Sequence, residues 1–124
     1  MIKLSELPEG SFVAVSFKYG DEIVSKDDVK VYVKENKDRI LTAIYYHRNM
    51  PAVFATEERI LTFDENDISE WCDKYDEQGY DDMSQDVFNS LTFEERNQIC
   101  EIMNNALRRT PVYFSIDKLV DIDN

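Results

Sequence analysis

The sequence predicts an α+β fold: an antiparallel β-meander of about five short strands, about three helices, and a returning C-terminal strand. Three observations carry this expectation. Valines and aromatics alternate with period two through much of residues 12–63, the apolar period becomes helical after residue 64, and Pro111 precedes one more β-branched run. At 124 residues, without internal repeat or linker, the chain is read as a single domain over 1–124.

The elements follow in order. Val13, Val15 and Phe17 alternate with Ala14 and Ser16, and Tyr19-Gly20-Asp21-Glu22 supplies a turn. Val29, Val31 and Val33 alternate with Lys30, Tyr32 and Lys34, the pattern of a half-exposed strand. Asn36-Lys37-Asp38 is a polar turn, residues 40–47 form a longer strand ended by Asn49-Met50-Pro51, and 52–55 and 60–63 are two more. The links are too short for parallel crossovers, which makes the sheet an antiparallel meander.

Beyond residue 64, Ile68, Trp71, Cys72 and Tyr75 fall at i, i+3, i+4 and i+7, one apolar stripe of a helix. Asn66 or Asp67 is placed to cap its start and Gly79 its exit. Ser84 reads as the next N-cap, with Met83 and Phe88 as a hydrophobic staple. Thr92-Phe93-Glu94-Glu95 is a capping box opening the longest helix, whose stripe is Ile99, Ile102, Met103, Ala106 and Leu107. Arg108 and Arg109 suit the negative end of its dipole, Pro111 stops it, and residues 112–116 read as the returning strand.

Charge is the strongest signal. The chain has 26 acids against 14 bases, a net of −12. Residues 1–63 carry ten acids and nine bases, and residues 87–124 carry six and four. Residues 64–86 carry ten acids (Asp64, Glu65, Asp67, Glu70, Asp73, Asp76, Glu77, Asp81, Asp82, Asp86) against Lys74 alone. An ordinary exposed helical face interleaves Lys and Arg with its acids, and this segment does not. The acid excess excludes nucleic-acid binding by bulk charge and disfavours anionic membrane. As one continuous helix, the segment would space its carboxylates about 3.5 Å apart, close to the phosphate spacing of a DNA strand. Such a row would act as a nucleic-acid mimic, with Trp71, Tyr75 and Tyr80 as aromatic contacts, although the stripe turns Trp71 and Tyr75 toward a core.

Other chemistries have less support. The acids lack the alternation and following glycine of a calcium loop. Asp28-Val29-Lys30 has the acid-x-Lys spacing of a metal-dependent nuclease strand, but composition alone supplies roughly as many such pairs as the chain contains. His47, the one histidine, stands beside Arg48 with no partner readable from the sequence. Three glycines provide no phosphate-cradling loop. Cys72 and Cys100 lie in helical patterns without a CxxC pair and read as reduced packing cysteines. No apolar run approaches the ~20 residues of a membrane span, and Met1-Ile2-Lys3-Leu4-Ser5-Glu6 carries no apolar signal region, so a cytoplasmic location is expected.

The leading expectation is therefore a non-enzymatic acidic inhibitor that needs no cofactor or metal and binds a basic, nucleic-acid-binding protein or nuclease. Its binding residues would be Asp64, Glu65, Asp67, Glu70, Asp73, Asp76, Glu77, Tyr80, Asp81 and Asp82. Phage anti-defence inhibitors and immunity proteins share this size and charge, which is an analogy only. The alternative is a small-ligand protein that binds or sequesters a nucleotide-like anion through Lys30, Lys34, Arg108 and Arg109. The basic group Lys26, Lys30, Lys34, Lys37 and Arg39 also suits the acidic stretch of a second copy, so a homodimer is a further expectation.

Overall fold

A computed structural model describes residues 1–123. The chain is α+β and divides into two compact units, Met1–Arg59 with the C-terminal stretch from Tyr113, and Ile60–Val112.

The first unit, the sheet unit, contains strands β1 (Ile2–Lys3), β2 (Phe12–Phe17), β3 (Gly20–Ser25), β4 (Thr42–Tyr45), β5 (Arg48–Pro51) and β6 (Val53–Arg59). It also holds helix α1 (Val29–Glu35) and nearly all of strand β7 (Val112–Asp121). The main sheet has the order β1-β7-β6-β2-β3, and β4 and β5 form a separate hairpin. β2 is antiparallel to β3 and β6, whereas β1 runs parallel to β7 with Ile2 opposite Val120. The sequential antiparallel meander is thereby corrected: the returning strand enters between β1 and β6, so the sheet is mixed. One apolar face gathers Leu4, Val13, Val15, Val29, Val33, Val53, Ala55, Val120 and Ile122, all buried.

The largest local correction is residues 29–33, which form α1 and not a strand. A strand would place Val29, Val31 and Val33 on one face, but Val29 and Val33 are buried while Val31 is 60% exposed. Burial at i and i+4 is the helical solution, and Asp28 and Asn36 stand at the two ends of the helix. The strand β3 runs through the expected turn. The hairpin turn is Lys18-Tyr19, and Gly20 opens β3 at φ +147°, a value that favours glycine. Edge position explains the disguise: Asp21 and Glu22 are exposed, and charged residues on an edge strand discourage pairing with another chain.

The run at 40–47 is divided. Ile40 makes a single bridge to Phe17, and Tyr46 and His47, at φ 45° and 67°, form the two-residue turn between β4 and β5. Residues 60–63 form no strand.

The second unit, the helical unit, contains α2 (Glu65–Cys72), α3 (Tyr75–Gln78), α4 (Met83–Ser90) and α5 (Phe93–Arg108). The Thr92 capping box forms as the sequence predicts, with Glu95 N–H donating to Thr92 Oγ1 at 3.1 Å and Thr92 N–H to Glu95 Oε1 at 2.9 Å. This pins the Glu95 carboxylate to the backbone and holds its pKa below the ordinary glutamate value. Phe63, Ile68 and Cys72 are the buried centre, and Tyr75, Val87, Phe88, Leu91, Ile99, Cys100, Met103 and Leu107 pack around it. Ile102, expected on the α5 stripe, is 67% exposed, and Cys100 takes an inward position in its place. Both cysteines are free thiols, and partial burial followed by the carboxylates of Glu65, Asp64 and Asp67 pushes the Cys100 thiol up. No helix among the described residues is long and apolar enough to cross a membrane.

Candidate functional site: an acidic face on the helical unit

The helical unit holds 13 acids and 4 bases, and the sheet unit 13 acids and 10 bases. The acid excess therefore belongs largely to the helices. Within residues 64–86 the structure sorts the ten carboxylates into two groups.

One group holds the fold. Asp64, rather than Asn66 or Asp67, is the N-cap of α2: its Oδ1 accepts from the N–H groups of Asn66 at 3.0 Å and Asp67 at 3.3 Å. Asp67 completes the box by accepting from Asp64 N–H at 2.9 Å. Glu65 accepts from Arg96 Nε at 3.1 Å. Asp76 accepts both the backbone N–H of Ser84, at 2.8 Å, and its hydroxyl, at 2.9 Å. The N-terminus of α4 is thus capped from α3, and Ser84 is not its N-cap; Asp82 occupies that position at φ 65° with no side-chain cap. Asp86 accepts from the hydroxyl of Tyr80 at 2.8 Å, which holds the phenol above its ordinary pKa.

The other group is Glu70, Asp73, Glu77, Asp81 and Asp82. All five are exposed, and among the described residues their side chains make no hydrogen bond or ion pair. Lys74 lies over the ring of Tyr75, 5.1 Å from its centroid, and no ion pair among the described residues involves it. Trp71 is 53% exposed, touching Phe63 at a ring separation of 4.8 Å, and Tyr80 is 56% exposed. The expected burial of Trp71 is not met, because Ile68 and Cys72, at i and i+4, take the buried positions of α2. Tyr75 is half-buried in the apolar cluster.

The segment is not one rod. Breaks at Asp73-Lys74 and at 79–82 separate three short helices, and α4 packs against α2. The evenly spaced row of carboxylates that would copy a phosphate backbone is consequently absent. What the fold leaves exposed between residues 70 and 82 is five unpartnered carboxylates and two aromatic rings.

Sequence reasoning missed two residues that hold the helical unit together. Arg96 donates to Leu91 O at 2.8 Å, pairs with Glu65, and lies over the Phe88 ring at 5.0 Å. Asn104 clasps the backbone of Phe63, accepting its N–H at 2.7 Å and donating to its carbonyl at 3.0 Å. Both partners lie more than 30 positions away for the Glu65 and Phe63 contacts, so no local pattern announces them.

The basic residues are also sorted. Lys26 is a structural residue, donating to Leu7 O at 2.6 Å and lying 3.8 Å from Glu9. Arg39 lies over the Phe17 ring and bonds Asn36. Lys30, Lys34 and Lys37 line one cleft of the sheet unit. Arg108, bonded to Asn105, and Arg109 end α5 in the helical unit and are absent from that cleft's lining. The acid-x-Lys spacing at Asp28-Val29-Lys30, no more frequent than composition supplies, falls at the start of α1 and not on a strand. Exposed His47 sits in the β4–β5 turn.

Comparison with protein-family models, with curated proteins and with solved structures returns no match for this chain.

Proposed function

We propose that the chain is a non-enzymatic binding protein that uses its acidic helical face to occupy the cationic surface of a basic protein, and so blocks that surface. The partner class is a nucleic-acid-binding protein or nuclease, whose Arg and Lys side chains otherwise hold phosphates. The carrying observation is the five exposed carboxylates without internal partners, in the same stretch of chain as half-exposed Trp71 and Tyr80. Unpartnered carboxylates steer a basic partner and accelerate encounter, and exposed Trp and Tyr supply contact area of the kind that anchors interfaces. An immunity-type or anti-defence inhibitor is the setting this mechanism suits, by analogy of size and charge.

The decisive variant is Asp73→Asn, Glu77→Gln, Asp81→Asn, Asp82→Asn, which leaves Asp64, Asp67 and Asp76 to hold the helices. Recovery of partners from a lysate at low and several-fold higher salt identifies the target, and titration of the purified target measures affinity. The expected result is a basic target whose affinity falls about tenfold with salt and at least as far in the variant. A target bound equally well by the folded variant would refute this reading.

A further inference from the structure

In the sheet unit, Lys30, Lys34 and Lys37 line a cleft of about 520 Å³ together with Val33, Pro51, Ile122 and Asp123. Lys30 and Lys34 are one turn apart on α1, and Lys37 lies in the turn that follows. All three are exposed, and none makes an ion pair among the described residues, in a chain with 26 acids and 14 bases. Like charges at i and i+4 repel, so placing three lysines around one concavity works slightly against folding. The neighbouring basic residues are already engaged: Lys26 with Leu7 and Glu9, Arg39 with Asn36 and Phe17. The cleft thus holds the cations of this region that have no internal use.

Its lining has two characters. The ammonium groups supply up to three positive charges, against the single carboxylate of Asp123. Val33 and Ile122 are buried, and with Pro51 they give an apolar wall. Lysine binds phosphate as a mobile point charge, and the cleft's volume falls in the ordinary range for small-ligand sites. We infer that this cleft binds a phosphorylated small molecule of nucleotide size, its phosphates among Lys30, Lys34 and Lys37 and its less polar body against Val33, Pro51 and Ile122. Asp123 favours a ligand with hydroxyl groups, which its carboxylate accepts from, over a purely anionic one. This site is separate in residues and in charge from the acidic face, and its test is independent of that reading.

The test is calorimetric titration of the full chain with ADP, with AMP and with inorganic phosphate, repeated on the Lys30→Gln, Lys34→Gln, Lys37→Gln variant after circular dichroism confirms its fold. Saturable one-to-one binding of ADP is expected, weaker for AMP, and about tenfold weaker again for inorganic phosphate, which lacks the apolar body. The triple variant is expected to lose ADP binding by about tenfold or more. If the triple variant proves poorly folded, the single Lys34→Gln variant takes its place: it is expected to weaken ADP binding by about threefold, and unchanged binding in it would equally overturn the inference. Three results would overturn the inference: no saturation by ADP at millimolar concentration, equal affinity for ADP and inorganic phosphate, or unchanged ADP binding in the folded triple variant. Sedimentation of both proteins covers the competing occupant. Self-association of the native chain that the triple variant abolishes, without ADP binding, would assign the cleft to the acidic face of a second copy.

Discussion

The two units of this chain are stabilised by different means. The sheet unit buries nine apolar residues in one cluster, and five of them are valines at or near zero exposure. The helical unit buries three, Phe63, Ile68 and Cys72, with half-buried side chains around them. What the helical unit lacks in core it supplies through side-chain clamps on backbone: the Asp64 and Thr92 boxes, Asp76 on Ser84, Arg96 on Leu91 and Asn104 on Phe63. Carboxylates are thus part of what holds the helices, and they accumulate there for two reasons. Half cap or pair, and the remainder face outward without partners. Counting acids in the sequence merges these roles; the hydrogen bonds separate them.

The widest test of this contrast is a core deletion in each unit. Ile68→Ala removes one of only three buried side chains and is expected to cost about 3 kcal/mol in urea denaturation. Hydrogen exchange should accelerate throughout α2 to α5. Val53→Ala in the sheet unit should cost about 2 kcal/mol, following the smaller apolar area removed. Equal acceleration of exchange across β2 and β6 in the Ile68→Ala protein would show that the two units do not respond separately.

A charged clamp gives the next effect. Arg96→Met keeps an aliphatic stem near Phe88 but removes the Leu91 and Glu65 contacts, an expected loss of about 2 kcal/mol. Arg59 in the sheet unit also pairs, with Glu57, and lies over Phe114, but more than half of its side chain is exposed. Arg59→Met should therefore cost less than about 0.5 kcal/mol. If the two substitutions cost the same, polar clamping is not what distinguishes the helical unit.

These residues also show which parts of the molecule were legible beforehand. The Thr92 box and the stop before Pro111 were readable because every partner lies within a few positions. The α+β class followed from the change of period, which is likewise local. Val29 to Val33 was not decidable by pattern, since alternate valines satisfy a strand while i and i+4 satisfy a helix; the exposure of Val31 decides it. β3 lacked the alternation of a core strand because it is an edge, half covered by turn-like acids. At the candidate face, the location of the charge was plain, but Asp76 bonding a residue eight positions on was not. Where the acids lie is read directly from the sequence, but which of them are without partners is read only from the hydrogen bonds.

That distinction yields a finer pair of substitutions inside the acidic segment. Asp76→Ala removes the acceptor for both Ser84 groups and is expected to cost about 1 kcal/mol, as loss of an N-cap does. Asp73→Ala touches no partner and should change stability by less than about 0.5 kcal/mol. Their effects on binding a basic partner should be reversed in cause: Asp73→Ala weakens binding at constant stability, whereas Asp76→Ala acts through the fold. Equal destabilisation by the two would undo the division into structural and spare carboxylates.

The smallest effect concerns pH, and it isolates one clamp. Glu95 has its pKa lowered below 4.5 chiefly by the backbone hydrogen bond from Thr92. In the unfolded chain this bond is absent, so the ionised form is favoured in the folded state. Its stabilising contribution is complete above the ordinary glutamate pKa and disappears as pH falls through the lowered one. Glu95→Gln removes the ionisation while keeping an acceptor. The native chain should therefore exceed this variant in urea midpoint at neutral pH, and the difference should narrow below about pH 4.5. Exchange at the first turn of α5 should report the same narrowing, because that turn holds the unpaired N–H groups that the box satisfies. A difference that stays constant from neutral to strongly acid pH would mean that Glu95 acts as a neutral acceptor does, and that charge contributes nothing to this end of the helical unit.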